Sequence, residues 1–311
     1  MNTQQKLPTL VTGAAGLVGR ALVEKLVAMG RPVIALDRHS EMHSQGISIH
    51  ACDLGDIHRL HALARNGIDA MVHCGAYSGP MVARDSPYSM VQVNIVGTAN
   101  MLELARVQGA RRFVYCSSTS AYGTVTGEGP AGEDLLLRPG SLYGASKVAS
   151  EYIVAAYAQQ YGLSGVSVRL SWVYGPKRTT DCVIRTMIED ALAERPTRMD
   201  FGLNFPRQFI HVDDAVRGLM AALDAGRLSQ HAYNVTGDER HTLGDIRSLV
   251  KAVYPDADIE LSDGNDPVDE FQAKFSIDAA RRDLGYSPQV PLRDGIASYS
   301  KWLSKQRGAT S

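Results

Sequence analysis

The chain has 311 residues, more than a typical single domain and fewer than two large ones, so we expect one large α/β unit with a smaller appended lobe. Its 32 lysines and arginines almost balance its 33 aspartates and glutamates, and the arginine pairs at 111–112 and 281–282 are isolated. This balance excludes nucleic acid and the membrane surface as expected partners and favours a small-molecule substrate.

The cysteines and the N-terminal segment predict a soluble protein of a reducing compartment. The segment "MNTQQKLP" lacks the apolar core of a signal peptide, and no apolar run reaches the roughly 18 residues that a membrane span needs. No C-x-x-C spacing occurs, and three of the four cysteines end apolar, strand-like runs, where cysteine behaves as a small hydrophobe. The four are Cys52, Cys74, Cys116 and Cys182. We therefore expect a cytoplasmic protein.

Short β-rich runs alternate with longer runs of helical periodicity from residue 7 to about residue 170. The predicted strands are 7–12, 32–37, 47–51, 69–73, 111–116 and 165–171. The predicted helices between them are 17–29, 56–65, 89–107 and 145–161. Such alternation is typical of a parallel sheet with helices on both faces, so we predict an α/β, doubly wound (Rossmann) fold.

The pattern loosens after "VYGP" (173–176). A helix near 182–193 precedes "RQFIHVDDAVRGLMAAL", which is typical of a short strand feeding a capped helix, and "AYNVT" indicates one more strand. "TLGDIRSLVKAV" and "LRDGIASYSKWLSK" predict helices outside the main sheet. We expect a dinucleotide-binding domain over 1–171, to which 209–236 returns, and a C-terminal substrate-binding lobe built from 172–208 and 237–311.

The first predicted strand runs directly into "TGAAGLVG". Gly13, Gly16 and Gly19 allow a tight strand-to-helix turn, in which backbone N–H groups and the helix N-terminus can approach a pyrophosphate. The next strand ends at Asp37, 18 residues beyond Gly19. A carboxylate there binds the hydroxyls of an adenosine ribose and repels a 2′-phosphate, which favours NAD over NADP, although Arg38 beside it leaves the choice open.

Asp53, in "CDLGD", follows the third predicted strand and has two interpretations. Its carboxylate, with the next backbone N–H, can meet the edge of an adenine ring. Alternatively, Asp53 is a helix N-cap for "DIHRL".

The stretch "SLYGASK" sets Tyr143 and Lys147 one helical turn apart. Tyrosine, with an ordinary pKa near 10, is a poor base at neutral pH until a cation stabilises its phenolate, and Lys147 on the same helix face can supply that charge. Ser118, just past the fifth predicted strand, is placed to hydrogen-bond a reacting oxygen, because ligand sites of open α/β sheets lie at strand C-termini. These three residues indicate oxidation of an alcohol.

Taken together, these features resemble an extended short-chain dehydrogenase/reductase of the NAD-dependent epimerase/dehydratase family, and the resemblance covers nearly the whole chain. It rests on "TGAAGLVG", Asp37, "CDL", "HCGA", "VQVNIVGTANMLELA", "CSSTSAYG", "EDLLLRPGSLYGASK", "VRLSWVYGP" and "RQFIHVDDA". The resemblance implies that Ser118, Tyr143 and Lys147 form a catalytic triad with Tyr143 as acid/base. It also implies that Lys147 holds the nicotinamide ribose.

The residues predicted to bind NAD follow from the glycine loop and the resemblance together. Gly75 and Ala76 are implied to line the cofactor, and Asn94 to support the site from its helix. The full predicted set is Gly13, Gly16, Leu17, Val18, Asp37, Arg38, Asp53, Leu54, Gly75, Ala76, Asn94, Tyr143 and Lys147.

Other polar residues near these motifs are interpreted structurally. His73 and Cys74 are expected to be packing residues at a strand end, and His39 and His43 to lie in a solvated loop. We therefore expect no metal site.

The residues after Ser118 bear on the reaction. Family members that dehydrate sugars carry an Asp-Glu pair directly after the catalytic hydroxyl residue, because elimination of water needs its own acid and base. This chain has Thr119 and Ser120 there, which disfavours a 4,6-dehydratase.

Nucleotide-sugar epimerases of the family grip the substrate diphosphate with several polar groups, and Arg207 matches one of these. An expected asparagine is Trp172 here, and an expected arginine falls on Asp266, whose carboxylate would repel a diphosphate. Arg185 and Arg207 are cations that can meet a carboxylate or a single phosphate. The predicted substrate contacts are Tyr77, Ser118, Thr119, Trp172, Arg185 and Arg207.

The sequence therefore predicts an NAD-dependent dehydrogenase or epimerase that takes hydride from a secondary alcohol of a sugar, sugar acid or similar small polar substrate. A nucleotide-sugar 4-epimerase, such as a UDP-sugar epimerase, is the alternative. A non-catalytic dinucleotide-sensing protein is an alternative of another class. The resemblance also implies a homodimer, formed by the helices at 89–107 and 145–161 as a four-helix bundle.

Overall fold

The architecture is known from a computed structural model that describes residues 6–39, 41–42, 46–127 and 129–308. In chain order its strands are β1 (Thr9–Thr12), β2 (Val33–Asp37), β3 (Glu41–Met42), β4 (Ser48–Ala51), β5 (Ala70–His73), β6 (Phe113–Ser118), β7 (Gly165–Leu170), β8 (Trp172–Tyr174), β9 (Thr197–Met199), β10 (Pro206–Arg207), β11 (Phe209–His211), β12 (Ala232–Val235), β13 (His241–Thr242) and β14 (Ile259–Leu261). The α-helices are α1 (Leu17–Ala28), α2 (Ile57–Leu63), α3 (Pro87–Val91), α4 (Gly97–Val107), α5 (Leu142–Tyr161), α6 (Val183–Leu192), α7 (Val212–Asp224), α8 (Leu243–Val253) and α9 (Leu292–Gly308).

The main sheet confirms the predicted doubly wound fold. Its parallel strands follow the order β12-β7-β6-β5-β1-β2-β4, and the short strand β3 pairs antiparallel with β4 at the edge. The strand order reverses between β1 and β5. A crevice at the carboxyl ends of the strands is therefore expected at this point.

Successive side chains along each strand point to opposite faces of the sheet, and both faces are packed. Val11 and Val114 pack in the core that includes Leu22 of α1 and Leu219 of α7. Their neighbours, such as Leu10 and Phe113, belong to the opposite core, with buried residues of α4 and α5. Because both faces are covered by helices, the strands are apolar almost throughout.

A separate core lies among α6, α8 and α9. It includes Ile184, Ile246 and Ile296, and the short pairs β9 with β14 and β8 with β11 border it. Residues 277–286, assigned by sequence to the same lobe, instead pack through Ile277 and Tyr286 on the core of the main sheet. The division of the chain into a cofactor domain and a substrate lobe stays a prediction.

Two predicted helices differ in their bounds. The helix expected over 89–107 is α3 and α4 joined by a π-helical turn, Gln92–Val96, in which one extra residue is accommodated. The helix expected from 145 begins at Leu142, because the Ser141 hydroxyl oxygen accepts a hydrogen bond from the Gly144 N–H at 3.1 Å and caps it.

Candidate active site

A cavity of about 520 Å³ lies at the carboxyl ends of β1, β2, β4, β5, β6 and β7. Most residues predicted to bind cofactor or substrate line it. These are Gly13, Gly16, Leu17, Val18, Asp37, Arg38, Asp53, Leu54, Gly75, Ala76, Tyr77, Ser118, Thr119, Tyr143, Lys147 and Trp172. Asn94, Arg185 and Arg207 do not line it.

The glycine loop at one end of the cavity requires glycine on steric grounds. Gly13 has φ +66°, and a Cβ there would lie 2.7 Å from the carbonyl carbon of Cys74. A Cβ at Gly19 would lie 2.1 Å from the Gly13 oxygen. The loop therefore brings bare backbone and the N-terminus of α1 to the cavity wall, which fits the pyrophosphate of a dinucleotide.

Asp37 ends β2 beside this loop with its carboxylate held in place. The Ala15 N–H donates to Asp37 Oδ2 at 2.9 Å, and the Arg38 N–H donates to Asp37 Oδ1 at 2.7 Å. The Arg38 guanidinium donates instead to the Tyr77 hydroxyl, at 3.2 Å. A fixed carboxylate at this strand end fits a ribose diol, so the donor set fits NAD. Tyr77, predicted as a substrate contact, contacts Arg38 at the Asp37 end of the cavity.

Asp53 is not the N-cap of the helix that follows it. Its Oδ1 accepts the Gly55 N–H at 2.7 Å, whereas the cap of α2 is Asp56, which accepts the Arg59 N–H at 3.0 Å. The capping interpretation of Asp53 is therefore wrong, and its role at an adenine edge stays a prediction.

Tyr143 and Lys147 lie on the buried face of the first turns of α5. The Lys147 ammonium donates to the Cys116 carbonyl at 2.8 Å, and Nζ is 5.6 Å from the centroid of the Tyr143 ring. Burial alone would lower the lysine pKa, but the Tyr115 and Tyr143 hydroxyls outweigh it and hold the pKa of Lys147 above its ordinary value. A fixed positive charge therefore stands beside Tyr143.

Ser118 lies at the end of β6 on the same cavity wall. Its Oγ accepts the Ser120 N–H at 3.1 Å and so begins the short 3₁₀ turn Thr119–Ala121. Thr119 is buried in that turn, and both Thr119 and Ser120 line the cavity. The turn presents hydroxyl groups, and no carboxylate, beside Ser118.

Asn94 supports the site without lining it. From the π-helical turn its amide accepts the Tyr77 N–H at 2.8 Å and donates to the Tyr77 carbonyl at 3.1 Å. It also donates to Ser146 Oγ at 2.9 Å, and Ser146 donates to the Tyr143 carbonyl at 2.7 Å. One buried amide thus joins the loop after β5 to the helix turn that carries Tyr143.

His73 belongs to a directed chain of hydrogen bonds that the sequence did not indicate. Thr98 donates to the Asn94 carbonyl at 2.6 Å, so its oxygen must accept from His73 Nε2 at 3.1 Å. His73 Nδ1 then accepts from the Thr12 hydroxyl at 2.6 Å, and Thr12 accepts the Gly75 N–H at 3.0 Å. Burial lowers the pKa of His73 to about 3, so its imidazole is neutral.

A second buried network beneath the site was also missed. Ser117 donates to Glu151 at 2.5 Å, and Glu151 forms an ion pair with Arg169 at 2.7 Å. Arg169 donates to the Tyr122 hydroxyl at 2.7 Å, which donates to Asn234 at 2.8 Å. The available signal was Arg169 itself, because a charge inside a buried strand requires a buried partner.

The two arginines predicted to meet an anionic substrate lie elsewhere. Arg185 pairs with Glu189 at 2.7 Å in a separate surface cavity beside Trp302, so we withdraw it from the substrate contacts. Arg207 is buried behind Trp172 and pairs with Asp266 and Asp269. The i, i+4 spacing of Arg185 and Glu189 was a visible signal for the first pair, whereas sequence spacing could not show the partners of Arg207. The cavity wall near Trp172 is instead completed by residues not predicted: Ser171, Val173, Arg178, Thr179 and Thr180.

Within the described part of the chain, no group of three or more His, Cys, Asp or Glu residues is arranged to hold a metal ion. His43 lies outside the described residues. The four cysteines are free thiols. No helix among the described residues is long and apolar enough to cross a membrane.

A Rossmann-type sheet, a glycine loop opening α1 and a tyrosine-lysine pair on the first turns of α5 define the class as dinucleotide-dependent oxidoreductases of the short-chain type. The chain belongs to the NAD-dependent epimerase/dehydratase family, whose model matches residues 9–236. It is an NAD-dependent enzyme of the kind that acts on sugars.

Relatives of known activity cover nearly the whole chain. The UDP-glucose 4-epimerase of Mycolicibacterium smegmatis is 32% identical over 93% of this chain and 96% of its own length. The dTDP-glucose 4,6-dehydratase of Streptomyces griseus is 31% identical over 96% of this chain and 94% of its own. Among solved structures, UDP-glucuronic acid 4-epimerase from Bacillus cereus, in complex with UDP-glucuronic acid and NAD, has a TM-score of 0.85 at 26% identity, covering 96% of this chain and 100% of that one.

Proposed function

We propose that the protein oxidises a secondary alcohol of a sugar, sugar acid or similar small polar substrate, with Tyr143 as the acid/base. The observation that supports this most directly is the buried Lys147 ammonium beside Tyr143 at the cavity wall. Tyr143 accepts the proton of the substrate hydroxyl, Lys147 stabilises the resulting phenolate charge, and Ser118 hydrogen-bonds the reacting oxygen. When bound, NAD supplies the hydride acceptor.

The cavity favours redox chemistry over dehydration. Among the described residues that line it, the carboxylates are Asp37 and Asp53, which lie at the glycine-loop end. Beside Tyr143 the corresponding positions are Thr119 and Ser120, so elimination of water lacks its own carboxylic acid and carboxylate base. We therefore favour a dehydrogenase or an epimerase over a dehydratase.

A nucleotide-sugar 4-epimerase is the alternative, because the relatives from M. smegmatis and B. cereus carry that activity in their names. Release of NADH to solution distinguishes a dehydrogenase from an epimerase. A dehydrogenase accumulates NADH, whereas an epimerase changes the stereochemistry of its substrate with no net reduction of NAD.

The test is a panel of free sugars, sugar acids and nucleotide sugars incubated with protein and NAD. NADH absorbance reports net oxidation, and NMR of the recovered substrate reports epimerisation. Tyr143→Phe is expected to lower kcat on the active substrate by about 10²–10⁴-fold while NAD still binds. The matched control is Tyr161→Phe, at the exposed end of the same helix, which is expected to leave kcat unchanged.

The same experiment addresses the non-catalytic alternative. If NAD binds and no member of the panel turns over, a dinucleotide-sensing role is favoured over catalysis. If the panel yields a substrate and Tyr143→Phe retains the full turnover of the wild type, the protein is an enzyme but Tyr143 is not its acid/base. Retention of both Tyr143 and Lys147 at the cavity supports the enzyme.

We also propose a cytoplasmic homodimer whose lobe of 172–208 and 237–311 binds the substrate. The free cysteines support a reducing compartment. Exposed apolar side chains on α4, α5 and the turn before α4, among them Val107, Tyr152 and Val96, support a two-fold contact through these helices.

A further inference from the structure

Arg207 is a buried guanidinium with two carboxylate partners. It ends β10 and is 8% exposed. Its Nε donates to Asp269 Oδ2 at 2.8 Å, and a terminal nitrogen donates to Asp266 Oδ2. Both carboxylate side chains are as buried as the arginine, at 7% and 10% exposed. The charge of Arg207 is therefore already neutralised inside the protein.

The carboxylates are held in place by more than the arginine. Asp266 Oδ1 accepts the N–H groups of Val268 at 2.8 Å and Asp269 at 3.0 Å, which fixes the turn that carries them. Burial raises the pKa of Asp269, and the Arg207 guanidinium opposes that rise. A ligand that recruited Arg207 would leave two buried carboxylates without their cation, which is strongly unfavourable.

Trp172 separates Arg207 from the cavity. The guanidinium carbon of Arg207 lies 4.3 Å from the centroid of the Trp172 ring, a stacking distance. Trp172 lines the cavity and Arg207 does not. The indole therefore presents an apolar face to the substrate where a free guanidinium would present charge.

Few other cations face the cavity within the described part of the chain. Arg38 contacts Tyr77 at the Asp37 end, and Lys147 is buried against Cys116. Arg178 lies near Trp172, with its guanidinium carbon 5.9 Å from the ring centroid, and all three of its guanidinium nitrogens donate to backbone carbonyls, those of Val173, Thr180 and Asp181. One arginine held in this way suits a neutral sugar or a single carboxylate better than the two charges of a diphosphate.

We infer that Asp266, together with Asp269 and Trp172, is a specificity determinant that excludes nucleoside-diphosphate substrates, so that the substrate is a free sugar or sugar acid. The inference rests on the proposed function for the reaction at Tyr143 and adds the substrate class. In the resemblance to nucleotide-sugar epimerases, Asp266 occupies the place of an expected arginine. Aspartate at this position therefore removes the cation of the expected arginine, and its carboxylate neutralises the charge of Arg207.

The test measures UDP and UDP-glucose binding to the NAD-loaded protein by calorimetry, without turnover. Wild type is expected to bind both with a Kd in the millimolar range or weaker. Asp266→Asn keeps the oxygen that accepts the Val268 and Asp269 N–H groups, but removes one charge, and is expected to tighten UDP binding by about tenfold or more. Asp266→Arg, which adds a cation, is expected to bind more tightly still.

Asp263→Asn is the matched control, since it removes an exposed carboxylate from the same segment that pairs with Asn204 and not with Arg207. It is expected to leave UDP binding unchanged, and thermal unfolding of each variant checks that it is folded. Micromolar binding of UDP-glucose by wild type would overturn the inference, as would Asp266 variants that bind UDP no better than wild type.

The inference and the proposed function fail in different ways. Tyr143-dependent turnover of glucuronate, with none of UDP-glucuronate, supports both. Turnover of UDP-glucuronate alone overturns the inference and favours the nucleotide-sugar alternative, while Tyr143 keeps its proposed role as acid/base. Absence of turnover of any sugar overturns the proposed function, while the response of UDP binding to the charge at position 266 still decides the inference.

Discussion

Lys147 illustrates how a residue's chemistry depends on what surrounds it. A buried lysine without partners loses its proton readily, whereas Lys147 keeps it because the ammonium donates to the Cys116 carbonyl and lies near the rings of Tyr115 and Tyr143, with Nζ 4.9 and 5.6 Å from their centroids. Its charge is therefore permanent at physiological pH. A permanent cation lowers the free energy of an adjacent phenolate at every turnover.

Lys147→Met tests this role, since methionine keeps the length of the side chain and removes the charge. We expect kcat on the active substrate to fall by about 10²-fold or more, because the phenolate that forms on Tyr143 loses its stabilising charge. The measurement is a kcat–pH profile beside that of Lys301→Met, which removes an exposed lysine in α9. Equal profiles for the two variants would show that the Lys147 charge has no part in catalysis.

His73 predicts a specific pH dependence of stability. Its pKa is about 3 in the folded protein and about 6.5 in an unfolded chain, so only the unfolded state takes up the proton between these values. The contribution of the neutral His73 ring to the free energy of unfolding is complete above pH 6.5 and is lost as pH falls toward 3. Between pH 7 and pH 5 the loss is about 2 kcal/mol in the free energy of unfolding.

Urea unfolding of wild type and His73→Gln at both pH values measures this difference. The variant lacks the titrating group. Acidification from pH 7 to pH 5 is therefore expected to lower its free energy of unfolding by about 2 kcal/mol less than it lowers that of wild type. An independent measurement is the NMR titration of the His73 ring protons, which are expected not to shift down to pH 5. A shift near pH 6.5, or equal acid sensitivity of the two proteins, would contradict the prediction.

At the scale of elements, β7 and α5 are joined beneath the site by the ion pair of Arg169 and Glu151. Both side chains are buried, so removing one partner leaves an uncompensated charge. Glu151→Leu is expected to lower the free energy of unfolding by about 3–5 kcal/mol. Glu151→Leu combined with Arg169→Met is expected to recover most of that loss, as measured by urea unfolding. A double variant no more stable than the single one would show that the pair has no coupled role.

The turn from β1 into α1 allows a similarly direct test of the cofactor site. Gly13→Ala introduces a methyl group 2.7 Å from the Cys74 carbonyl carbon at φ +66°, so the loop must move and NAD affinity is expected to fall by at least about tenfold. Gly30→Ala is the matched control, because its φ of +69° imposes the same strain with nothing within 4 Å. Titration of NAD by fluorescence measures both, and equal affinities would contradict a steric role for Gly13.

At the scale of the whole molecule, the exposed face of α5 predicts the oligomeric state. Tyr152 is 66% exposed on this helix, which packs beside α4, where Val107 is also exposed. A charge at that position is expected to convert a dimer to a monomer. In a two-fold dimer the substituted residue of both protomers lies in the contact, so two charges are buried there. Analytical ultracentrifugation of Tyr152→Glu checks this, with Leu136→Glu, 61% exposed in a distant loop, as the control. A wild-type monomer at micromolar concentration would contradict it.

Much of this molecule could be predicted from local pattern. The strands of the main sheet, the glycine loop, Asp37 and the Tyr143–Lys147 spacing depend on residues a few positions apart, whose chemistry is visible in sequence. The π-helical turn around Asn94 was not visible, since one inserted residue changes helix periodicity too little to show. The two-residue strands β10 and β13 were not visible either, because they form only by pairing with each other.

The sequence by itself determined the fold class and the family and predicted the reacting groups, because each rests on short-range spacing and on strand ends that a parallel sheet brings together. Only the tertiary structure decided which charges are available. Arg207 looked like a free cation until Asp266, 59 residues further along the chain, was found against it. Burial and pairing are properties of the packed molecule. For that reason the proposed substrate class rests on three-dimensional contacts that no local motif records.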